Sequence, residues 1–173
     1  MAKVLVVAEH NGTALNPSVA KSVACAAQID GADIDIAVFG ETVASVAAEA
    51  AQISGVSRVV TIERAENDPA IAAILAPQVA ALASGYSHVF GPSTAFGKDL
   101  MPRVAALLGV NQVSDIMSVD SSHRFKRPIY AGNAVVTVEA PSDSTVVATV
   151  RTASYQAAPG GNSATVESTD LDV

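Results

Sequence analysis

The first constraint on the fold comes from short apolar runs that alternate with helix-like stretches. Residues 4–8 are apolar throughout, which is typical of a strand covered on both faces. Three more strand-like segments follow, at residues 34–38, 58–62 and 88–90, with helical patterns between them. Strands that alternate with helices form right-handed βαβ units and a parallel sheet. We therefore predict a three-layer α/β fold: an open, mostly parallel sheet, helices on both faces, and the first strand near the centre.

Local signals indicate where the intervening helices begin and end. Asn16 followed by Pro17 predicts a helix start, because an Asn side chain accepts a backbone N–H and proline fits the first turn. Gly31 is predicted to end this helix. Asp68-Pro69 is interpreted as a second start of the same kind, with a kink at Pro77. Apolar residues at helical spacing supply the core-facing stripes of the later helices: Val43, Val46, Ala47 and Ala50; Ile71, Ile74, Leu75 and Leu82; Leu100, Val104, Leu107 and Leu108.

The alternation stops after about Asn111. Three strand-like segments, at residues 124–130, 133–140 and 145–151, follow with no helix between them. Residues 141–144 have turn chemistry and predict a hairpin of the last two segments. We therefore expect an antiparallel β extension at the C-terminal end of the parallel sheet.

The tail from Ala157 lacks any hydrophobic period. It contains Pro159-Gly160-Gly161 and then scattered Ser, Thr, Glu and Asp, a composition typical of linkers. We predict one α/β domain at residues 1–156 and a linker at residues 157–173 that leads toward a further, absent domain.

The charge balance argues against polyanionic partners. The chain has 173 residues, a formal net charge of −7 and 50% hydrophobic residues, which suits one globular domain with a sizeable core. Nucleic acids and anionic membranes are bound through clustered cations. The local cluster Arg124, Lys126 and Arg127 lies on a predicted strand, and we interpret it as a solvated sheet edge.

The single cysteine and the start of the chain bear on the compartment. Cys25 lies among alanines on a predicted helix, where we expect a buried, unreactive thiol and no disulfide. The first strand begins by Lys3, which leaves no room for a signal or transit peptide. No apolar run approaches the roughly 20 residues that a bilayer requires. We therefore expect a cytoplasmic protein without membrane insertion.

Residues 91–99 resemble a phosphate-binding loop but lack its chemistry. Five residues separate Gly91 from Gly97, where a P-loop has four, and Asp99 follows Lys98 where Ser or Thr would hold magnesium. The loop after the first strand has a single glycine, so the dinucleotide fingerprint is absent too. We interpret Lys98 as a solvated lysine, and Phe96 and Leu100 as residues that anchor their helix.

No catalytic or metal-binding set emerges from the remaining residues. His10, His88 and His123 have no ligand spacing, and a single cysteine cannot begin a zinc motif. His10 is interpreted as a surface-loop histidine, and Ser93 lacks the flanks of a nucleophile elbow. We assign no catalytic, cofactor-binding or metal-ligating residue. A crevice between residues 9–12 and 91–94 is the candidate binding region, because ligands bind at the carboxyl ends of parallel strands.

Two motifs resemble the electron-transfer flavoprotein alpha subunit family. The first is the run Gly91-Pro92-Ser93-Thr94-Ala95-Phe96-Gly97-Lys98-Asp99-Leu100-Met101-Pro102-Arg103-Val104-Ala105, and the second is Arg127-Pro128-Ile129-Tyr130-Ala131-Gly132-Asn133-Ala134. The segments at residues 4–11, 113–116 and 149–152 occur in the order that the family shows. The resemblance therefore spans nearly the whole chain.

The resemblance implies an electron carrier rather than an enzyme. The family's alpha subunit has two domains and pairs with a beta subunit, and its second domain supplies most of the FAD pocket. The heterodimer passes electrons from flavin dehydrogenases, such as the acyl-CoA dehydrogenases of fatty acid β-oxidation, to a membrane-bound quinone oxidoreductase. This chain is then expected to be the scaffold and docking domain, with FAD in the full heterodimer and no FAD ligand of its own. The alternative is a stand-alone adenine-nucleotide-binding α/β module that uses the crevice.

The second motif has two open interpretations. Gly132 permits a tight reversal and Asn133 tolerates turn conformations, so the motif can simply build the antiparallel extension. Tyr130 combines an apolar ring with a polar tip, a combination that also suits a direct contact with the partner subunit.

Overall fold

A computed structural model describes residues 2–173 of the protein. The strands and helices follow in the order β1 (Lys3–Val7), α1 (Ser18–Ala26), β2 (Asp33–Gly40), α2 (Ala44–Ala51), β3 (Val56–Glu63), α3 (Ala72–Leu82), β4 (His88–Pro92), α4 (Ala95–Leu108), β5 (Gln112–Ile116), β6 (Ser118–Ser121), β7 (Arg124–Ile129), β8 (Ala134–Glu139), β9 (Val146–Val150) and β10 (Thr165–Ser168). Seven strands form one parallel sheet in the order β10-β3-β2-β1-β4-β9-β5. The predicted α/β class and the central position of β1 are confirmed.

The alternation of side chains along β1 builds two cores on opposite faces of the sheet. Val4 and Val6 pack into the core beneath α1 and α2, whereas Leu5 and Val7 pack into the core beneath α3 and α4. All four side chains have zero exposure, as expected for a parallel strand covered on both sides. The face with α1 and α2 is also covered by the small sheet β6-β7-β8, which inserts the buried Phe125 into the same core.

The predicted hairpin of the last two segments is wrong. β9 leaves the small antiparallel sheet and enters the main sheet, where it pairs in parallel with β4 and β5. All five of its residues, Val-Val-Ala-Thr-Val, are buried, which is the pattern of a strand in the middle of a parallel sheet. Residues 141–144 therefore connect two sheets. The antiparallel extension consists of β6, β7 and β8, with β7 and β8 joined through the turn at residues 130–133.

The helices follow the sequence signals at some ends and depart from them at others. Asn16 caps α1 as predicted, because its Oδ1 accepts the Ser18 N–H at 2.9 Å. The start predicted at Asp68-Pro69 is wrong: the backbone of Asp68 is extended and α3 begins at Ala72. Helix α1 already ends at Ala26, and α3 continues through Pro77 to Leu82.

Parts of the predicted apolar stripes lie outside the core. Ile71 precedes α3, Ile74 is on its outer side, and Leu107 is exposed on α4. The buried side of α3 is formed instead by Leu75, Val79 and small alanines. The longest helix, α4, has 14 residues, and within residues 2–173 no helix combines the length and apolarity required to cross a membrane.

The tail is attached to the sheet rather than structureless. Strand β10 pairs in parallel with β3 at the sheet edge, although all four of its side chains are exposed. The Asn162 amide donates to the carbonyl oxygens of Ile53 and Val56 at 2.9 and 2.8 Å. Apart from Ala158, Ala164 and Leu171, which pack partly against the cores, the tail is held by hydrogen bonds. The sequence therefore has no periodic apolar pattern that would predict β10. A linking role of residues 157–173 stays a prediction.

Candidate functional site

The two loops of the predicted crevice meet at the carboxyl ends of β1 and β4. The Thr94 hydroxyl donates to Glu9 Oε2 at 2.8 Å, and the Ser18 hydroxyl reaches the same oxygen at 3.3 Å. Thr94 also caps α4, since its Oγ1 accepts the Gly97 N–H at 3.4 Å. The position where a nucleotide phosphate would approach a helix start is therefore occupied by a carboxylate of the protein.

The other residues of this region lie in solvent, in the core or in the protein interior. Lys98 is exposed, as predicted, and Leu100 anchors α4 in the core with Phe96 packed partly against it. The Ser93 hydroxyl is buried, and no group within residues 2–173 hydrogen-bonds to it. A serine without a neighbouring base is not activated as a nucleophile.

His10 has a structural role at the edge of the crevice. Its Nε2 lies 2.8 Å from the Phe39 carbonyl oxygen, which requires a proton on that nitrogen, and its Nδ1 accepts the Gly12 N–H at 3.0 Å. The side chain is half-buried rather than free on a surface loop. His10 thereby fastens the loop after β1 to the end of β2, and neither ring nitrogen is left for a ligand.

A cavity of about 370 Å³ opens between the loops that follow β1, β2 and β3. Its polar lining includes the carboxylates of Glu41 and Asp68 and the backbone at Gly40, and no lysine or arginine among the described residues contributes to it. Segment 65–69 is held at the cavity by a buried amide pair, in which Gln78 Nε2 donates to Asn67 Oδ1 at 2.6 Å. Sequence reasoning missed this cavity, although the rule on strand ends points to these loops.

The structure brings together two histidines that lie 35 positions apart in the sequence. The rings of His88 and His123 are 5.4 Å apart between centroids, beside a second cavity of about 320 Å³ that Asp30 also lines. His88 is buried, its Nε2 lies 2.6 Å from the Ser122 carbonyl oxygen, and burial lowers its pKa. In the described part of the chain, no three His, Cys, Asp or Glu residues are grouped in a way that could hold a metal ion.

Cys25 is buried in the α1 face of the core, as predicted. Burial raises the pKa of its thiol to about 12, an effect that the neighbouring Tyr155 hydroxyl partly offsets. At neutral pH the side chain is therefore a protonated thiol that packs as a small apolar group.

The second sequence motif forms the tip of the β7–β8 hairpin. Tyr130 is 79% exposed, and the backbone is left-handed at Tyr130 and Ala131, with φ of 51° and 53°, and again at Gly132. The turn conformation expected at Asn133 is therefore taken by the preceding residues, since Asn133 has a helical φ of −73°. The tip presents an aromatic ring to solvent.

The basic cluster on β7 is only partly a solvated edge. The side chains of Arg124 and Lys126 lie 4.0 and 3.3 Å from Asp120, and both are about half exposed. Arg127 points the other way, and its Nε donates to the Ser114 carbonyl oxygen at 2.7 Å. Arg127 thus ties the hairpin to β5.

Comparison with known proteins supports the resemblance that the sequence motifs indicate. Residues 4–173 match the family model described as the electron transfer flavoprotein domain. The chain is 47% identical over 165 residues to the electron transfer flavoprotein subunit alpha of Pseudomonas aeruginosa, covering 95% of this chain and 53% of that protein. It is 40% identical to the protein of the same name from Paracoccus denitrificans, with 96% and 53% covered.

A less similar mitochondrial relative is also matched over only about half of its own length. The mitochondrial electron transfer flavoprotein subunit alpha of Dictyostelium discoideum is 37% identical, and the match covers 98% of this chain but 50% of that protein. The chain thus spans about half the length of the curated relatives it matches. Because the family model covers nearly every residue of the sequence, the chain belongs to the electron transfer flavoprotein family, among the sequences related to its alpha subunits.

Proposed function

We propose that this chain is the scaffold and docking domain of the alpha subunit in a heterodimeric electron-transfer flavoprotein. The observation that carries the proposal is the match of residues 4–173 to the family model. In addition, the alignments to relatives named as alpha subunits cover 95% or more of this chain. In this proposal the heterodimer with a beta subunit takes electrons from flavin dehydrogenases and delivers them to a quinone oxidoreductase. The chain acts in the cytoplasm as a carrier subunit rather than as an enzyme.

We further propose that FAD of the heterodimer is not held by residues of this chain. A dinucleotide pyrophosphate needs positive charge or free N–H groups at a helix start. Where the loops after β1 and β4 meet, the Glu9 carboxylate lies at the start of α4, and the nearby cavity is lined by Glu41 and Asp68. These residues do not fit the pyrophosphate of FAD, which supports a flavin pocket formed elsewhere in the heterodimer.

The domain organisation that we propose has residues 1–156 as the α/β domain and residues 157–173 as the connection to a FAD-binding domain. Strand β10 runs parallel to β3, so the tail travels toward the carboxyl edge of the sheet. There the Arg64 guanidinium donates to the carbonyl oxygens of Leu171 and Val173. A segment that follows would start at the same edge as the crevice and the Tyr130 tip. The twofold greater length of the relatives supports this arrangement.

Co-expression with the beta subunit tests the proposal. The chain, joined to the remainder of the alpha subunit, should copurify with beta and show the flavin absorption spectrum with one FAD per heterodimer. The 173-residue chain alone should bind no flavin. Stoichiometric FAD on this chain alone, or no association with beta when the whole alpha subunit is supplied, would contradict the proposal.

The alternative, a stand-alone adenine-nucleotide-binding module, is tested by calorimetry with AMP and ATP. The meeting of the loops at residues 9–12 and 91–94 favours it, but the Glu9 carboxylate at that point repels a phosphate. We expect no heat of binding from either nucleotide. Tight binding by the isolated chain would favour the alternative.

A further inference from the structure

The outer side of β8 is a free sheet edge whose hydrogen-bonding groups can be identified. In an antiparallel pair, opposite residues alternate between those that exchange N–H···O bonds with each other and those whose groups point away. The Ala140 N–H donates to the His123 carbonyl oxygen at 2.8 Å, which marks this pair as hydrogen-bonded. Counting along the register, the Val138 and Val136 positions are bonded to β7 as well.

The alternate positions of β8 therefore direct their backbone groups outward. These are Val135, Thr137 and Glu139, which lie opposite Pro128, Lys126 and Arg124. Two observations agree with this assignment of the outward-pointing residues. Pro128 has no N–H to give to Val135, and the Lys126 carbonyl oxygen is used on the other side of β7, where it accepts the Met117 N–H at 2.9 Å. Within residues 2–173, β8 pairs with β7 alone, so three N–H and three C=O groups are exposed along one edge.

The other sheet edges carry several features that discourage pairing, whereas β8 carries one, the charged Glu139 at its end. Strands β6 and β10 have four residues each and bear charged side chains, Asp120 and Glu167, that form ion pairs. Strand β5 is interrupted by a bulge, with a left-handed φ of 60° at Asp115. β8 has six residues, Ala-Val-Val-Thr-Val-Glu, without lysine, proline or glycine. A regular edge strand of β-branched residues readily pairs with a strand from another chain.

An exposed apolar tip lies at one end of this edge. Tyr130 is 79% exposed and Val135, opposite Pro128 on the solvent face, is 53% exposed. Two successive residues, Tyr130 and Ala131, have left-handed backbone that non-glycine residues rarely adopt. Such backbone strain is concentrated at functional sites. The tip holds the tyrosine ring in solvent, at the end of the hairpin where β8 begins.

We propose that β8 accepts a strand of the beta subunit at its free edge, with Tyr130 packing on the added strand. This inference rests on the proposed function, because it assigns the surface through which the two subunits meet. Val135 and Thr137 form an uncharged stretch of the edge and Glu139 places one carboxylate at its end, so the edge suits an extended partner segment without acidic side chains. A second copy of this chain is a poorer occupant, because each copy has a formal net charge of −7. The alpha designation of the relatives also favours a non-identical subunit.

Hydrogen exchange on the heterodimer tests the inference at single amides. In the alpha subunit alone, the amides of Val135, Thr137 and Glu139 should exchange rapidly, whereas those of Val136 and Val138 are slow. On association with beta, the first three should slow sharply and the other two should change little. This alternating pattern would not arise from general burial of the hairpin.

A proline variant supplies the matched mutational test. Thr137→Pro removes one outward N–H and leaves the bonds to β7 intact, whereas Thr137→Ala keeps the backbone and changes only the side chain. The proline variant should weaken association with beta by about tenfold or more, and the alanine variant by less than about threefold. Slow exchange of the Val136 and Val138 amides in Thr137→Pro establishes that the hairpin is still folded. Val135→Lys, a charged edge residue, should weaken association similarly.

Three results would overturn the inference, and they are distinguishable. If the heterodimer forms with the amides of Val135, Thr137 and Glu139 still exchanging rapidly, the edge is not the contact and the proposed function stands. If the intact alpha subunit does not associate with beta at all, both fail. If the alpha subunit alone self-associates and protects these three amides, the occupant is a second copy.

Discussion

The carbonyl oxygen of Pro92 lies where a β-carbon on Gly97 would have to be placed. In this first turn of α4, the Gly97 N–H also donates to the Thr94 hydroxyl at 3.4 Å. Gly97 is thus required for its lack of a side chain rather than for backbone freedom.

Gly97→Ala should therefore lower the free energy of unfolding by about 1–3 kcal/mol, the usual cost of overpacking. Gly85→Ala is the matched control, because a β-carbon at Gly85 meets nothing within 4 Å. Urea unfolding followed by circular dichroism measures both. An unchanged unfolding midpoint for Gly97→Ala would contradict the close approach.

Thr94 links the cap of α4 to Glu9. Thr94→Val removes the hydroxyl that donates to Glu9 and accepts from Gly97, and it should destabilise the protein by about 1–2 kcal/mol. Thr94→Ser retains the hydroxyl and should cost much less. Thermal unfolding of the two variants would show the difference, and equal losses would mean that the methyl group rather than the hydroxyl matters.

The Asp35 carboxylate is buried and receives three donors. Arg58 reaches its Oδ2 through Nε at 3.2 Å and Nη2 at 2.7 Å, and the Tyr86 hydroxyl donates at 2.6 Å. Arg58→Met would remove the cation that hydrogen-bonds to the buried carboxylate and leave only the more distant Lys3 ammonium at 3.9 Å, at an expected cost of about 3 kcal/mol. Arg58 also reaches Glu167 of β10 at 2.9 Å, but that carboxylate is half exposed.

Glu167→Gln should therefore cost less than about 1 kcal/mol, as for other solvent-screened ion pairs. The rank order of the two variants in urea unfolding is the measurement. Comparable losses would indicate that the network stabilises the β10 edge rather than the sheet interior.

His88 gives the protein a pH-dependent stability. Burial lowers its pKa below the ordinary 6.5, so the folded state binds a proton less readily than the unfolded chain. Its stabilising contribution is complete above pH 6.5 and declines as the pH falls through the lowered pKa. His123, whose ring is 5.4 Å away, disfavours the charged form further.

Unfolding free energies measured between pH 7.5 and 5 should fall with pH, and His88→Asn should flatten that slope. The variant should also lose about 1 kcal/mol at pH 7.5, because the bond to the Ser122 carbonyl is broken or weakened. His123→Asn, which leaves the buried ring in place, should retain most of the slope. A wild-type profile that is flat over this range would contradict the assignment to His88.

The main sheet was largely predictable because its signals are local. The uninterrupted run at residues 4–8 predicted a strand buried on both faces, and Val4–Val7 have zero exposure in the structure. Asn16 and Thr94 cap the helices that follow them by accepting backbone N–H groups two and three residues further on, and such bonds depend on neighbours in the sequence. The contact between the loops after β1 and β4 followed from the rule that strand ends share one edge, although the Glu9 carboxylate at their meeting point did not.

Three features depended on contacts between distant segments, which no local pattern encodes. The composition of β9 fits either a hairpin arm or a buried parallel strand. Its parallel pairing with both β4 and β5 makes it a buried strand. Strand β10 has no apolar signal, because backbone bonds to β3 hold it. His88 and His123 meet only after the turn of the small sheet packs beneath β4. The periodicity of the sequence therefore determined which segments form strands and helices. Tertiary packing decided which strands pair with one another, because burial and hydrogen bonding between remote residues depend on the whole folded chain.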